Sequence, residues 1–118
     1  MNKVITINDW CDGPLIGLAY YETKVVIYNR LFDDNKDEWT DKYKLTFIGL
    51  DDYSLIMAEW ERWVLAVNTN QVRFFTSENK IFTVLQKKMD CDSFVKKGDF
   101  YGKIEKGWIP TDYWVNWK

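Results

Sequence analysis

"WCDGPLIGLAYYETKVVIY", residues 10–28, opens as a corner and continues as a hairpin. Pro14 has no amide hydrogen and disfavours a helical conformation at Gly13, so a well-paired strand starts after it. Residues 15–21 and 24–31 are dominated by apolar and β-branched side chains, the composition of two strands that each bury at least one face. The "ETK" between them, residues 22–24, is polar but lacks the Asn-Gly of a two-residue I′ turn, which predicts a slightly longer loop. The corner marks where the hairpin begins and helps to fix its register.

Neighbouring segments extend this sheet. "VITI", residues 4–7, reads as a short first strand. In "YKLTFIGL", 43–50, Tyr43, Leu45, Phe47 and Gly49 alternate with Lys44, Thr46, Ile48 and Leu50, the period of a third antiparallel strand. "DYWVNWK" closes the chain as a strand that places Tyr113, Val115 and Trp117 on one face and Trp114, Asn116 and Lys118 on the other. Between them lies a clear helix. Ile56, Trp60, Trp63, Val64 and Val67 recur at three- and four-residue spacing, Glu59, Glu61 and Arg62 take the other side, Asp51 or Asp52 caps the start, and Asn68-Thr69-Asn70 ends it.

"QVRFF" suits a short strand. "SENKIFTVLQKKM" reads as a second helix, with Ser77 as cap, Ile81, Phe82, Leu85 and Met89 on one face, and Lys87-Lys88 at its end; its Ile-Phe-Thr-Val would equally suit a strand. "DDNKDEWTDK", 33–42, reads as a solvated loop, and Gly98, Gly102 and Gly107 mark further loops. The expected fold is α+β: one domain over residues 1–118, with an antiparallel sheet of four to five strands and one or two helices packed on one face.

Bulk composition narrows the class. Hydrophobic residues at 47% and charged ones at 29% exclude a disordered chain. The longest apolar run, residues 63–67, is far short of the roughly 20 residues that span a bilayer. "MNKVITIND" shows no apolar signal region, so the expected location is cytoplasmic, away from membranes. Cys11 and Cys91 are too few for a disulfide framework, and two carboxylates beside Cys91 disfavour its thiolate; both read as reduced structural residues. Residues 1–60 carry eleven acidic against six basic side chains, and residues 61–118 carry seven against ten. That mild dipole is too weakly basic for direct nucleic-acid binding and too weakly acidic for mimicry of DNA.

Chemical equipment is sparse. The sequence has no histidine, which removes the commonest general base and every histidine-containing metal site. Neither glycine-rich phosphate-loop pattern occurs. Asp33, Asn35 and Asp37 match the first, third and fifth positions of an EF-hand loop, but Glu38 stands where the turn needs glycine and Lys44 where a bidentate glutamate belongs. Asp9 and Asp12 flank Trp10, and Glu59 and Glu61 lie on the main helix, yet their spacing is that of a turn and a helix face rather than a carboxylate pair for acid–base work. The expectation is no catalytic residue, no metal and no cofactor.

What stands out is the aromatic content, 18% of the chain with seven Trp, seven Tyr and seven Phe. Trp60, Trp63 and Trp117 read as core. Trp39 stands in the polar run "DEWTD", and Trp114 shares its strand face with Asn116 and Lys118. Tryptophan supplies much apolar area per rotatable bond and is enriched among binding hot spots. Trp39 and Trp114 are therefore the expected contact residues, with Asp33, Asp34, Asp37, Glu38 and Asp41 steering a basic protein partner.

"WCDGPLIG" (10–17), the following hairpin, a third strand and the helix segment "AEWERW" (58–63) resemble a group of small uncharacterised bacterial and phage-borne proteins. Those proteins begin with a Trp-x-Asp-Gly-Pro-Leu-x-Gly segment and later carry a Trp-rich helix. The likeness covers residues 1–65. It implies a cytosolic accessory protein and brings no catalytic residue. The functional expectation is a non-enzymatic protein-binding domain, a stoichiometric inhibitor such as a toxin-immunity protein or a phage-encoded inhibitor of a bacterial defence system. The alternative is a small-ligand sensor or minor enzyme with a Trp-lined pocket. Homodimerisation through an uncovered sheet edge or the Trp114 face is compatible with either.

Overall fold

The computed structural model of the chain describes residues 1–75, 79–89 and 92–118, with Phe74 described by its backbone alone. Ser77, the expected cap, and Cys91 lie outside them. Seven strands, β1 (Asn2–Lys3), β2 (Asp9–Trp10), β3 (Pro14–Tyr21), β4 (Lys24–Asp33), β5 (Glu38–Phe47), β6 (Ser93–Glu105) and β7 (Ile109–Trp117), accompany two helices, α1 (Leu50–Asn68) and α2 (Lys80–Lys87). The α+β class stands, but the antiparallel sheet is larger than four or five strands, with the order β1-β7-β6-β5-β4-β3-β2.

The two strands at the ends of that order belong to one N-terminal segment. Asn2 and Lys3 pair with Val115 and Trp114 of β7, while Asp9 pairs with Ile16 of β3. Between them, Val4 donates its N–H to Tyr113 and bridges Ala19, and Ile5, Thr6 and Asn8 donate to carbonyls of β3. The "VITI" segment is thus a seam rather than a separate strand: it joins the last strand to the hairpin and rolls the sheet into a barrel. Closure removes most of the open edge expected for dimerisation. β5 pairs with β6 from Lys42 to Thr46, so the end of the β4–β5 hairpin stands apart from that neighbour.

Parity along β3 and β4 divides the core in two. Ala19, Val26 and Tyr28 join Val4, Tyr43, Leu45, Tyr113 and Val115 inside the barrel. Ile16, Leu18 and Ile27 face outward and pack under Ile56 of α1 and Ile81 and Val84 of α2. The hairpin is therefore buried on both faces, as its nearly continuous apolar composition requires. Inside the barrel, Phe100 lies 5.4 Å from Tyr28, 5.1 Å from Tyr43 and 5.6 Å from Trp117, centroid to centroid. Much of the aromatic surplus fills the lumen. Gly17, paired with Tyr28, leaves room for that ring: a Cβ there would collide with the Thr6 carbonyl and the Tyr28 hydroxyl.

Several local expectations are corrected. The β3–β4 connection is the two-residue turn Glu22-Thr23, with Tyr21 paired to Lys24; Glu22 takes a φ of 56°, and its N–H is received by Asn2 Oδ1 at 2.9 Å. Support from β1 replaces the missing glycine. The 33–42 stretch is mostly hairpin rather than loop, turning over residues 34–37. Gly49 occupies the N-cap of α1, and Asp51 and Asp52 lie in its first turn without capping it. "QVRFF" forms a 3₁₀ turn over Val72–Phe74. In α2, Val84 is buried, whereas Phe82 faces solvent, as does Met89 just beyond the helix end. Gly98 and Gly102 lie within β6, not in loops; a Cβ on Gly98 would come within 2.7 Å of the Trp117 ring. The parity read for Tyr43, Leu45 and Phe47 and for β7, and the end of α1 at Asn68, agree with the structure, but β5 stops at Phe47 and the expected strand residues Gly49 and Leu50 begin α1.

Candidate functional site

The β4–β5 hairpin gathers most of the expected contact residues. Asp33 closes its turn by accepting the N–H groups of Asn35 and Lys36, and Asp37 reverses the chain at a φ of 53°. Short carboxamide and carboxylate side chains tolerate and stabilise such turns. Asp34, Asp37, Glu38 and Asp41 are exposed, and Asp41 reaches Lys97 at 3.9 Å. Trp39 is half-buried because Phe32, its cross-strand partner, meets it edge-to-face at 5.0 Å. Phe32 remains 41% exposed, so the pair presents apolar area among carboxylates. Sequence reading singled out Trp39 and missed Phe32, whose alternation along β4 is interrupted by an irregularity between Arg30 and Phe32.

Trp114 is elsewhere. It sits on β7 between Lys3 of β1 and Tyr101 of β6, half-buried, with its indole N–H donated to Asp112 at 3.0 Å. β6 separates its strand from the hairpin, so Trp39 and Trp114 do not form one surface.

A second concentration of tryptophan lies where the opening corner meets α1. Asp12 (φ 49°) and Gly13 (φ 121°) form a tight corner, and the Arg30 guanidinium holds it by donating to the carbonyls of Cys11 and Asp12. That fixes Trp10. Its ring stacks on Trp108 with centroids 4.2 Å apart and planes 7° from parallel. Trp108 adopts a φ of 59°, a left-handed conformation costing a bulky residue roughly 1–3 kcal/mol. Gly107 before it has a φ of 71° and packs on Val67, and its carbonyl receives the Trp63 indole N–H at 3.2 Å. Trp10, Trp60, Trp63, Phe75 and Trp108 wall a cleft of ≈ 350 Å³, with Asp9 and Glu59 also on its lining. Sequence reading placed Trp60 and Trp63 in the core and gave Trp10 and Trp108 no role.

A wider depression of ≈ 980 Å³ lies between the β3–β4 hairpin and the start of α1. Lys24 there already holds its ammonium 5.3 Å above the Phe47 ring. The groups whose acidity is displaced most are the lumen tyrosines. Burial drives Tyr28 well above the usual 10.0, and raises Tyr43 to about 12 against the opposing pull of Arg30. Their hydroxyls donate to the carbonyls of Thr6 and Pro14 at 2.7 and 2.8 Å, which makes them structural rods across the barrel. Among the described residues, no three Cys, Asp or Glu side chains gather to hold a metal ion, and no helix is long and apolar enough to cross a membrane. Comparison with protein-family models, with curated proteins and with solved structures gave no match in any of the three, so the reading of this chain rests on its own residues.

Proposed function

We propose that this protein acts by stoichiometric binding to a protein with a basic surface, without turnover, and that the β4–β5 hairpin is the contact. The observation that carries this reading is the Phe32–Trp39 pair, apolar and partly exposed, on a hairpin that also carries Asp33, Asp34, Asp37, Glu38 and Asp41. Carboxylates of this kind steer encounter with a cationic partner, while the aromatic pair supplies the desolvated area that slows dissociation. A cytosolic inhibitor fits this design, either an immunity protein or a phage-encoded antagonist of a bacterial defence enzyme.

The test is affinity capture with the wild-type chain, Trp39→Ala, and a variant with Asp34, Asp37 and Glu38 changed to Asn, Asn and Gln. A specific partner is retained by the wild type, is lost with Trp39→Ala, and binds the neutralised variant with a shallower salt dependence. Equal retention by all three, with intact circular dichroism, overturns the hairpin as the contact. A second reading, ligand sensing through a Trp-lined pocket, is favoured by the cleft beside Trp10.

A further inference from the structure

We propose that the cleft between β2, α1 and the Lys106–Trp108 turn binds an alkylated ammonium group. The inference is independent of the hairpin and of any protein partner. Its volume, ≈ 350 Å³, falls within the range of small-ligand sites. Its walls are largely aromatic: Trp10 and Trp108 as a stacked pair, Trp63 with Phe75 at 5.4 Å, and Trp60. Indole faces are the strongest neutral attractors of cations among side chains. Among the described residues, the charged groups on the lining are Asp9 and Glu59, both acidic, and no lysine or arginine lines the cleft. The Arg62 guanidinium lies 5.8 Å from the centroid of Phe75, so one ring of this cluster already faces a cation in the chain's own fold.

The polar groups argue for which cation. Each is engaged internally: Asn8 Oδ1 receives the Thr6 hydroxyl at 2.6 Å, Asp9 Oδ1 the Trp10 backbone N–H at 2.9 Å, and Glu59 Oε2 the Lys80 backbone N–H at 2.5 Å. Both carboxylates contribute a negative field to the cleft. A guanidinium, with five N–H donors to satisfy, is poorly served by such walls. A trimethylammonium head has no donors, and its methyl groups suit indole faces. Trp108, at φ 59° directly after Gly107, carries one wall of the cleft.

The experiment titrates choline against the isotope-labelled protein and follows the indole N–H signals by NMR. A parallel titration uses the neutral carbon isostere of choline, in which tert-butyl replaces trimethylammonium, and a third uses agmatine. Saturable shifts of Trp10, Trp63 and Trp108, with Trp39 and Trp114 unmoved, are expected for choline. The isostere should bind at least about tenfold more weakly, because it keeps the shape and loses the charge. Trp108→Ala should weaken choline by a similar factor. Asp9→Asn, which keeps the acceptor for the Trp10 N–H, should weaken choline several-fold and leave the isostere unchanged, a readout that survives if Trp108→Ala misfolds. Absent saturation, equal binding of choline and its isostere, tighter binding of agmatine, or indifference of choline to Asp9→Asn each overturns the assignment.

Discussion

Gly17 faces Tyr28 across the β3–β4 ladder, and the absence of its side chain is what admits a phenol ring to the lumen. Gly17→Ala would drive a methyl group into the Thr6 carbonyl and the Tyr28 hydroxyl. It should cost about 1–3 kcal/mol or more, the usual range for overpacking a filled core, and chemical denaturation will read it. The same lumen sets an alkaline limit. A tyrosine in the unfolded chain ionises near 10.0, whereas Tyr43 keeps its proton to about 12 and Tyr113 is raised as well, both by burial. Between those values the unfolded state has lost a proton that the native state retains, so stability falls as pH rises. Tyr43 alone accounts for roughly 3 kcal/mol over that window, fully present below pH 10. Melting temperature and tyrosinate absorbance should change together there; a flat stability profile to pH 12 contradicts the buried phenols. None of this was readable from residue types. Gly17 looked like part of a corner motif, and the partner that explains it is eleven residues away.

Elements whose partners are local were the legible ones. The hairpin, the parity of β5 and β7, and the α1 stripe all follow from alternation or from helical spacing. The acidic stretch failed because exposed strand residues in a projecting hairpin have no apolar face to announce them, and pairing is then decided by the partner strand. Phe82 and Met89 failed for a related reason. α2 is only eight residues long, so a small error in phase exchanges its buried and exposed sides, and Val84 took the inner position. For α1 the contrast between faces is testable. Ile56→Ala removes a side chain that is 1% exposed beneath β3 and β4 and should cost about 2–5 kcal/mol. Leu65→Lys, at a position 65% exposed, should change stability by no more than about 0.5 kcal/mol. Equal effects in urea titrations would mean that α1 is docked by a different face.

The whole molecule depends on a contact between its beginning and its end. Val4 bonds to Tyr113 and lies opposite Ala19 in a bridge, and no periodicity in residues 4–7 reveals that two strands at opposite ends of the sequence lie on either side of them. Deleting residues 2–8 should leave a sheet with two raw edges and abolish cooperative unfolding, and a synthetic peptide of residues 1–10 should restore it in trans. A deletion variant that still melts in one sharp transition would show that the seam is dispensable.

That seam also sets an order of events during synthesis. On the ribosome, the first ten residues emerge with half of their partners still untranslated, and the ring is completed only when residues 109–117 leave the exit tunnel. Because Asn2 lies beside Val115, a short linker joining the two termini, with new ends opened among residues 34–37, gives a circular permutant in which the seam runs on from β7 without a chain break. Such a chain would make the seam and its β7 partner consecutive in synthesis, and would finish its barrel on a different schedule from the natural one.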